Sequence, residues 1–305
     1  MSHPDFHGVI SPILTPFQSD GWIDRGLYAD HARFSLEAGL HYLSPFGTTG
    51  EAVAVGMSER MAMLEHLVEC GLPAARMMPG TGLCALPDTV TLTRHAVDLG
   101  SVAAMVLPPF YYPASDEGLY AYYARLIEAV ASDRLRICLY HIPQMSGVSI
   151  SPALTARLAT DFPRTIVAYK DSSGNWDNAK AVIDAAPGVS VFPASETQLI
   201  KGLDQGAAGC ISATCNSNPS VIRAYFDAHR GDETAKMALL EPDMIRHRQA
   251  VQGAGFIPAL KSMFAVATGN DTWLHTRPPT DDADPALGHK LVSELEWSYP
   301  PADPR

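Results

Sequence analysis

Thr165-Ile166-Val167-Ala168-Tyr169-Lys170-Asp171-Ser172-Ser173-Gly174 is the stretch on which the fold turns. An unbroken apolar run closes on a lysine and then on a polar turn. A half-exposed strand would alternate apolar and polar residues, so a continuous run this short reads as a strand buried on both faces. The same pattern recurs upstream in Arg136–Tyr140, Val102–Leu107, Arg76–Pro79, His41–Pro45 and Val9–Leu14, and downstream in Val189–Phe192 and Gly209–Ser212. Helical periodicity fills intervals such as Ser58–Cys70, Asp88–Leu99, Asp116–Ala131, Ser151–Thr160 and Thr197–Gln205. Eight strand-then-helix units predict an α/β fold, a closed (β/α)8 TIM barrel. A doubly wound sheet would call for a phosphate-binding glycine loop after an early strand, and neither G-x-G-x-x-G nor G-x-x-x-x-G-K-[ST] is present.

After Pro219 the strand signal stops. Val221–Arg230, Glu233–Gln252 (crossed by Pro242), Ala259–Ala267 and a last segment near Pro285–Trp297 read as helices. The predicted organisation is a barrel over residues 1–225 that carries the active site, followed by a C-terminal helical region over 226–305. The Pro/Asp-rich ends of the tail read as loose.

Composition narrows the function. Acidic residues number 33 against 22 basic ones, a net charge of −11, with no Lys/Arg run, so a nucleic-acid partner is not expected. No stretch of about 18 apolar residues occurs, and no membrane span is expected. The opening MSHPDFHGVISPILTPF lacks a basic leader segment and carries prolines in its apolar part; it does not read as a signal peptide. Cys70, Cys84, Cys138, Cys210 and Cys215 are odd in number and form no C-x-x-C pair, and Cys138 and Cys210 lie in apolar runs. That usage fits reduced thiols and a cytoplasmic location.

A barrel carries its chemistry at the C-terminal ends of its strands. The second run ends in Gly47-Thr48-Thr49-Gly50-Glu51, the fourth in Phe110-Tyr111-Tyr112-Pro113, the fifth at Tyr140 and the sixth at Lys170. A strand-end lysine can simply snorkel into water. In apolar surroundings the ammonium form is disfavoured, and a free amine can attack a carbonyl and form a Schiff base. The iminium is then an electron sink. Such chemistry needs a proton shuttle, which Tyr140 can supply, although a buried tyrosine can equally be a packed ring. It also needs an anion cradle, which the glycines and hydroxyls of Gly47–Gly50 can supply, although such a turn can equally be an N-cap. Glu51 reads as structural, holding the loop. The eleven histidines form no H-E-x-x-H pattern, so no metal is expected. His247 reads as part of a solvated helix face, and strand alternation turns His141 away from the barrel interior. No G-x-S-x-G occurs for a serine hydrolase.

Gly47-Thr48-Thr49-Gly50-Glu51, Pro109-Phe110-Tyr111-Tyr112-Pro113, Tyr140-His141-Ile142-Pro143, Tyr169-Lys170-Asp171-Ser172-Ser173-Gly174 and Gly209-Cys210-Ile211-Ser212-Ala213-Thr214 come in the order and spacing of one family. The chain resembles the dihydrodipicolinate synthase / N-acetylneuraminate lyase family from about Val9 to the C-terminal helices. The resemblance implies a class I aldolase mechanism without a cofactor, a homotetramer, and pyruvate with an aldehyde as the small-molecule partners. Carried over by position, it implies Lys170 as imine lysine, Tyr140 as proton shuttle and Thr48 as relay partner. Tyr111 becomes a relay tyrosine sent into a neighbouring subunit. Thr48, Thr49 and Gly50 would bind the 2-oxo acid carboxylate, with Ile211 at the pyruvate end. Ser172 and Glu196 would serve the rest of the substrate.

Within that family, the synthases carry an arginine five residues after the shuttle tyrosine. Here Met145 stands there, and a substrate carboxylate would lack its bidentate partner. Thr197 and Ala213 stand where sialic-acid lyases would carry a carboxylate and a hydroxyl. The function read from the sequence is a Schiff-base lyase that cleaves or forms a 2-oxo-3-deoxy sugar acid. The alternatives are an imine-dependent dehydratase, a 4-hydroxy-tetrahydrodipicolinate synthase, or a non-catalytic binding protein on the same barrel, which loss of Lys170 or Tyr140 would have favoured.

Overall fold

The computed structural model describes residues 6–300. The first five residues of the opening segment read above, and Pro301–Arg305 of the tail read as loose, lie outside that range. Among the described residues seven strands are formed: β1 Gly8–Ser11, β2 Tyr42–Leu43, β3 Ala104–Val106, β4 Ile137–His141, β5 Ile166–Asp171, β6 Ser190–Pro193 and β7 Gly209–Ile211. Every pairing between them is parallel, in the orders β2-β1-β7 and β3-β4-β5-β6. The two sheets are joined on one side by Met77–Gly80, which bridges Leu43 to Met77 and Gly80 to Met105. On the other side Ala208 N–H donates to Val191 C=O at 2.9 Å. The ring therefore closes as a (β/α)8 barrel.

The third of the eight predicted strands is thus reduced to single bridges. Pro79 has no N–H to give a ladder. At Gly80 a Cβ would stand 2.0 Å from Phe46 O, a backbone approach only glycine permits. Elsewhere strand ends shift by a few residues, as where Pro12 stops β1 short of Leu14.

Each strand position is followed by a helix: Arg25–Glu37, Met57–Glu69, Leu86–Leu99, Asp116–Val130, Pro152–Asp161, Trp176–Ala185, Glu196–Leu203 and Pro219–Arg230. Their starts are legible in the sequence. Asp24, Ser115 and Ser151 accept N–H bonds from the first turns, and Pro152 and Pro219 sit where a missing N–H costs nothing. Pro219–Arg230, expected to open the C-terminal region, is instead the eighth barrel helix. It packs Ile222, Tyr225 and Phe226 against Val9 and Cys210. A division at 225/226 would cut it, and we place the boundary after Arg230. Thr234–Gly253, Ile257–Thr268 and Pro285–Leu295 follow. Among the described residues no single helix is long and apolar enough to cross a membrane; the first two pass that test only as a pair bent by 109°.

Strand alternation sorts the core. Ile10, Met105, Cys138, Tyr140, Ala168, Phe192 and Ile211 fill the barrel interior. Leu139, Tyr169 and Val191 point out to the helices. His141 falls in the outer set, as alternation predicts: its ring stacks on Tyr169, and its Nδ1 accepts from Ile150 N–H at 3.1 Å.

The prediction for His247 does not hold. It is buried, with Nε2 2.7 Å from Ser217 Oγ, because the helix Thr234–Gly253 packs this face onto the barrel. Burial first, and the nearby Arg246 charge second, push its pKa down to about 4. His31, buried with Nε2 2.7 Å from Asn216 Oδ1, is likewise pushed down to about 4 by burial, partly offset by that hydrogen bond. A histidine with a depressed folded-state pKa binds protons more readily when unfolded. Stability is therefore complete above about pH 6.5 and falls as pH drops toward 4, by up to about 3 kcal/mol for each group. Thermal melts should show Tm declining through that window, and His247→Gln, which cannot titrate, should lose less Tm over it. An unchanged pH slope in the variant would contradict this.

Candidate active site

Tyr140 and Lys170 are register partners on adjacent strands, so both side chains enter the barrel at one level. Both are almost closed off from solvent, at 4% and 3% exposure. Lys170 Nζ lies 4.1 Å from the centroid of the Tyr140 ring. Among the described residues no hydrogen bond ends on that ammonium, and the amine is held by packing and by the ring face alone. Phe192, the next register partner of Lys170, and Ile211 supply apolar surface nearby. Cys138 lies one inward position deeper on β4; burial pushes its thiol up to about 12, so it is a packing group and no nucleophile.

The loop after β2 completes the rim. Thr48 Oγ1 is 2.9 Å from Tyr140 OH. Thr49 and Gly50 are buried beside it. A Cβ at Gly50 would stand 2.7 Å from Ile13 O, so the loop approaches the β1 segment as only glycine can. Thr15 Oγ1 donates to Gly50 C=O at 2.8 Å, and Glu51 N–H to Thr48 C=O at 3.0 Å. The N–H groups of Thr48, Thr49 and Gly50 make no hydrogen bond among the described residues. Three free donors beside a tyrosine hydroxyl and an amine can hold a carboxylate next to a carbonyl under attack.

Ser172 follows β5, its N–H donating to His141 C=O at 2.8 Å and its hydroxyl unengaged among the described residues. The turn beneath it is fixed by Asp171, which accepts from Ser173 N–H, Ser173 Oγ and Asn178 Nδ2 at 2.8, 2.6 and 2.7 Å. Met145 sits on the short helix Pro143–Ser146 and is 67% exposed.

Two expected site residues stand apart. Tyr111 is 84% exposed, with φ at 85°, and its ring stands edge-on to that of Tyr112, centroids 5.1 Å apart. Within one chain it is not brought to Thr48 and Tyr140. Glu196, expected to contact substrate, is fully buried and already committed. It accepts from Ser212 Oγ at 2.5 Å and from Thr214 Oγ1, and it pairs with Arg248 at 3.3 Å. The carboxylate ties the helix Thr234–Gly253 to the ends of β6 and β7, and no oxygen is left for a sugar tail.

Sequence reasoning missed Arg248 and Lys261. Lys261 is buried and pairs with Glu51 behind the Thr48–Gly50 loop. Its signal is visible in hindsight: it is the single charge in the apolar helix Ile257–Thr268.

The model of the Dihydrodipicolinate synthetase family matches residues 5–295. An uncharacterized DapA-like lyase of Chloroflexus aurantiacus is 37% identical over 297 residues, covering 96% of this chain and 95% of its own. A 4-hydroxy-tetrahydrodipicolinate synthase of Rhodospirillum centenum is 34% identical over 234 residues, covering 76% and 78%. Among solved structures, YagE, a prophage protein of the dihydrodipicolinic acid synthase family from E. coli K12 in complex with pyruvate, superposes with a TM-score of 0.86 at 26% identity, covering 96% of this chain and 99% of that one.

Proposed function

The chain belongs to the dihydrodipicolinate synthetase family of lyases, and from that premise we propose that it cleaves or forms a 2-oxo-3-deoxy sugar acid through an imine on Lys170. The observation that carries the reading is the Thr48–Tyr140–Lys170 constellation: an unbonded amine over a tyrosine ring whose hydroxyl is 2.9 Å from Thr48 Oγ1. The structural neighbour bound to pyruvate supports the common half of the substrate.

In this reading Lys170 Nζ attacks the C2 carbonyl, water leaves, and an iminium forms. The substrate carboxylate rests on the N–H groups of Thr48, Thr49 and Gly50. Tyr140 takes the proton of the C4 hydroxyl as the C3–C4 bond breaks, and the electron pair passes into the iminium. The aldehyde departs and leaves an enamine. Reprotonation at C3 and hydrolysis then release pyruvate and restore the amine. Each proton passes through the Tyr140 hydroxyl, with Thr48 as its relay. Tyr111, exposed here, would complete the relay from a neighbouring subunit of a homotetramer, and five unpaired thiols fit a cytoplasmic enzyme. A screen of 2-oxo-3-deoxy acids with a coupled pyruvate readout tests the assignment. Water loss without pyruvate release would indicate the dehydratase instead.

Synthase-named relatives at about a third identity favour one second reading, condensation with an amino-aldehyde acid. Met145 separates the two. A thioether offers shape without charge, which suits a neutral hydroxylated aldehyde. Met145→Arg supplies a bidentate carboxylate partner; it should lower pyruvate release from sugar acids and gain weak dihydrodipicolinate formation. Efficient dihydrodipicolinate synthesis by the wild type would overturn the sugar-acid assignment and leave the imine chemistry standing.

A further inference from the structure

Behind the Thr48–Gly50 loop lies a buried ion pair that the reaction chemistry does not use. Glu51 follows the loop in left-handed backbone, φ 54°, and is 6% exposed. Its carboxylate meets the ammonium of Lys261, which has no solvent exposure. Lys261 also donates to His275 C=O at 2.6 Å and stands 4.7 Å from the Phe17 ring centroid. Arg277 lies over the same ring, also at 4.7 Å, and grips Glu59 through two bonds of 2.6 and 2.8 Å. Both cations come from the segment after Gly255, far in sequence from the loop.

A pair so deeply buried is a weak source of stability, because desolvating two charges cancels most of their attraction. Burial pushes the Glu51 carboxyl up and the Lys261 ammonium down, each opposed by its partner. What the pair does supply is direction. The other ties on the loop engage the carbonyls of Gly47, Thr48 and Gly50, from Ala52 N–H, Glu51 N–H and Thr15 Oγ1. Apart from the Thr48 Oγ1 contact with Tyr140 OH, these ties use the loop's carbonyls, and the three unbonded N–H groups are left for a ligand. Glu51 supplies the charged side chain among these anchors, from a left-handed backbone conformation uncommon outside glycine.

We propose that Lys261 is a positioning residue that acts through Glu51 to hold the Thr48–Gly50 N–H groups in register with the carboxylate of the 2-oxo acid. The inference rests on the imine chemistry proposed above. A helix outside the barrel thereby sets affinity for the pyruvyl half, while Lys170 and Tyr140 are untouched.

The test measures borohydride trapping of pyruvate on the full-length protein against pyruvate concentration. Two variants are used. Glu51→Gln with Lys261→Met removes both charges at similar volume. Glu51→Asp keeps the charge but shortens its reach, and aspartate tolerates left-handed backbone. Both should need about tenfold more pyruvate for half-maximal trapping, or more, since displacement by about 1 Å can cost a hundredfold. The maximal extent of trapping should stay at the wild-type level. A folded variant with wild-type half-saturation, or one that loses only maximal extent, overturns the proposal. Loss of circular dichroism in both variants also overturns it, since the pair would then serve the fold and not the loop. An untrapped wild type sinks the imine reading itself, whereas a trapped wild type with indistinguishable variants sinks only this inference.

Discussion

Lys170→Ala should abolish turnover, lowering the rate of pyruvate release by at least about 10⁴-fold, the scale on which loss of a covalent nucleophile leaves only binding. Among the described residues, neither register partner of Lys170, Tyr140 or Phe192, offers an amine, nor do Ala168 and Cys138 one inward position deeper. The variant should still fold. The Lys170 side chain makes no hydrogen bond or ion pair among the described residues, and removing it strands no partner charge. The loss is a few methylenes of packing against Tyr140, within reach of a barrel interior this well filled. Circular dichroism and a coupled pyruvate assay check both halves. Residual turnover within about a hundredfold of wild type would place the nucleophile elsewhere.

Tyr140→Phe should cost about 10²- to 10⁴-fold in turnover while leaving the fold intact. The ring stays, and with it the face that Lys170 Nζ approaches at 4.1 Å. Only the hydroxyl goes, and with it the 2.9 Å contact to Thr48 Oγ1. Thr48 is half-buried and can turn to water, so the penalty falls on proton transfer and little on stability. The variant should still trap pyruvate at equilibrium, more slowly, because the amine is unchanged. Turnover within a factor of a few of wild type would show that the proton travels by another route.

The placement of these two side chains in the barrel was legible in the sequence for a physical reason. Strand alternation fixes which face a side chain takes, and a polar group closing a run buried on both faces is placed at the rim. The same rule put His141 outside. Local pattern failed where the answer depended on long-range packing. Glu196 looks like a free acid at a helix start, and only Ser212, Thr214 and Arg248, brought in from other elements, show that its oxygens are taken. His247 sits between arginines and reads as solvated, yet its helix lies against the barrel and covers it. Lys261 and Glu51 lie more than two hundred residues apart, and nothing in either neighbourhood names the other. The third strand was read as a full run because hydropathy cannot see that Pro79 and Gly80 break its ladder.

The central claim is that Lys170 forms an imine with a 2-oxo acid, and incubation of the wild-type protein with pyruvate and borohydride tests it most directly. Intact mass should rise by one reduced pyruvyl adduct per chain, peptide mapping should place it on Lys170, and Lys170→Ala should show none. An unmodified wild-type chain, or an adduct on another lysine that persists in Lys170→Ala, would contradict the account.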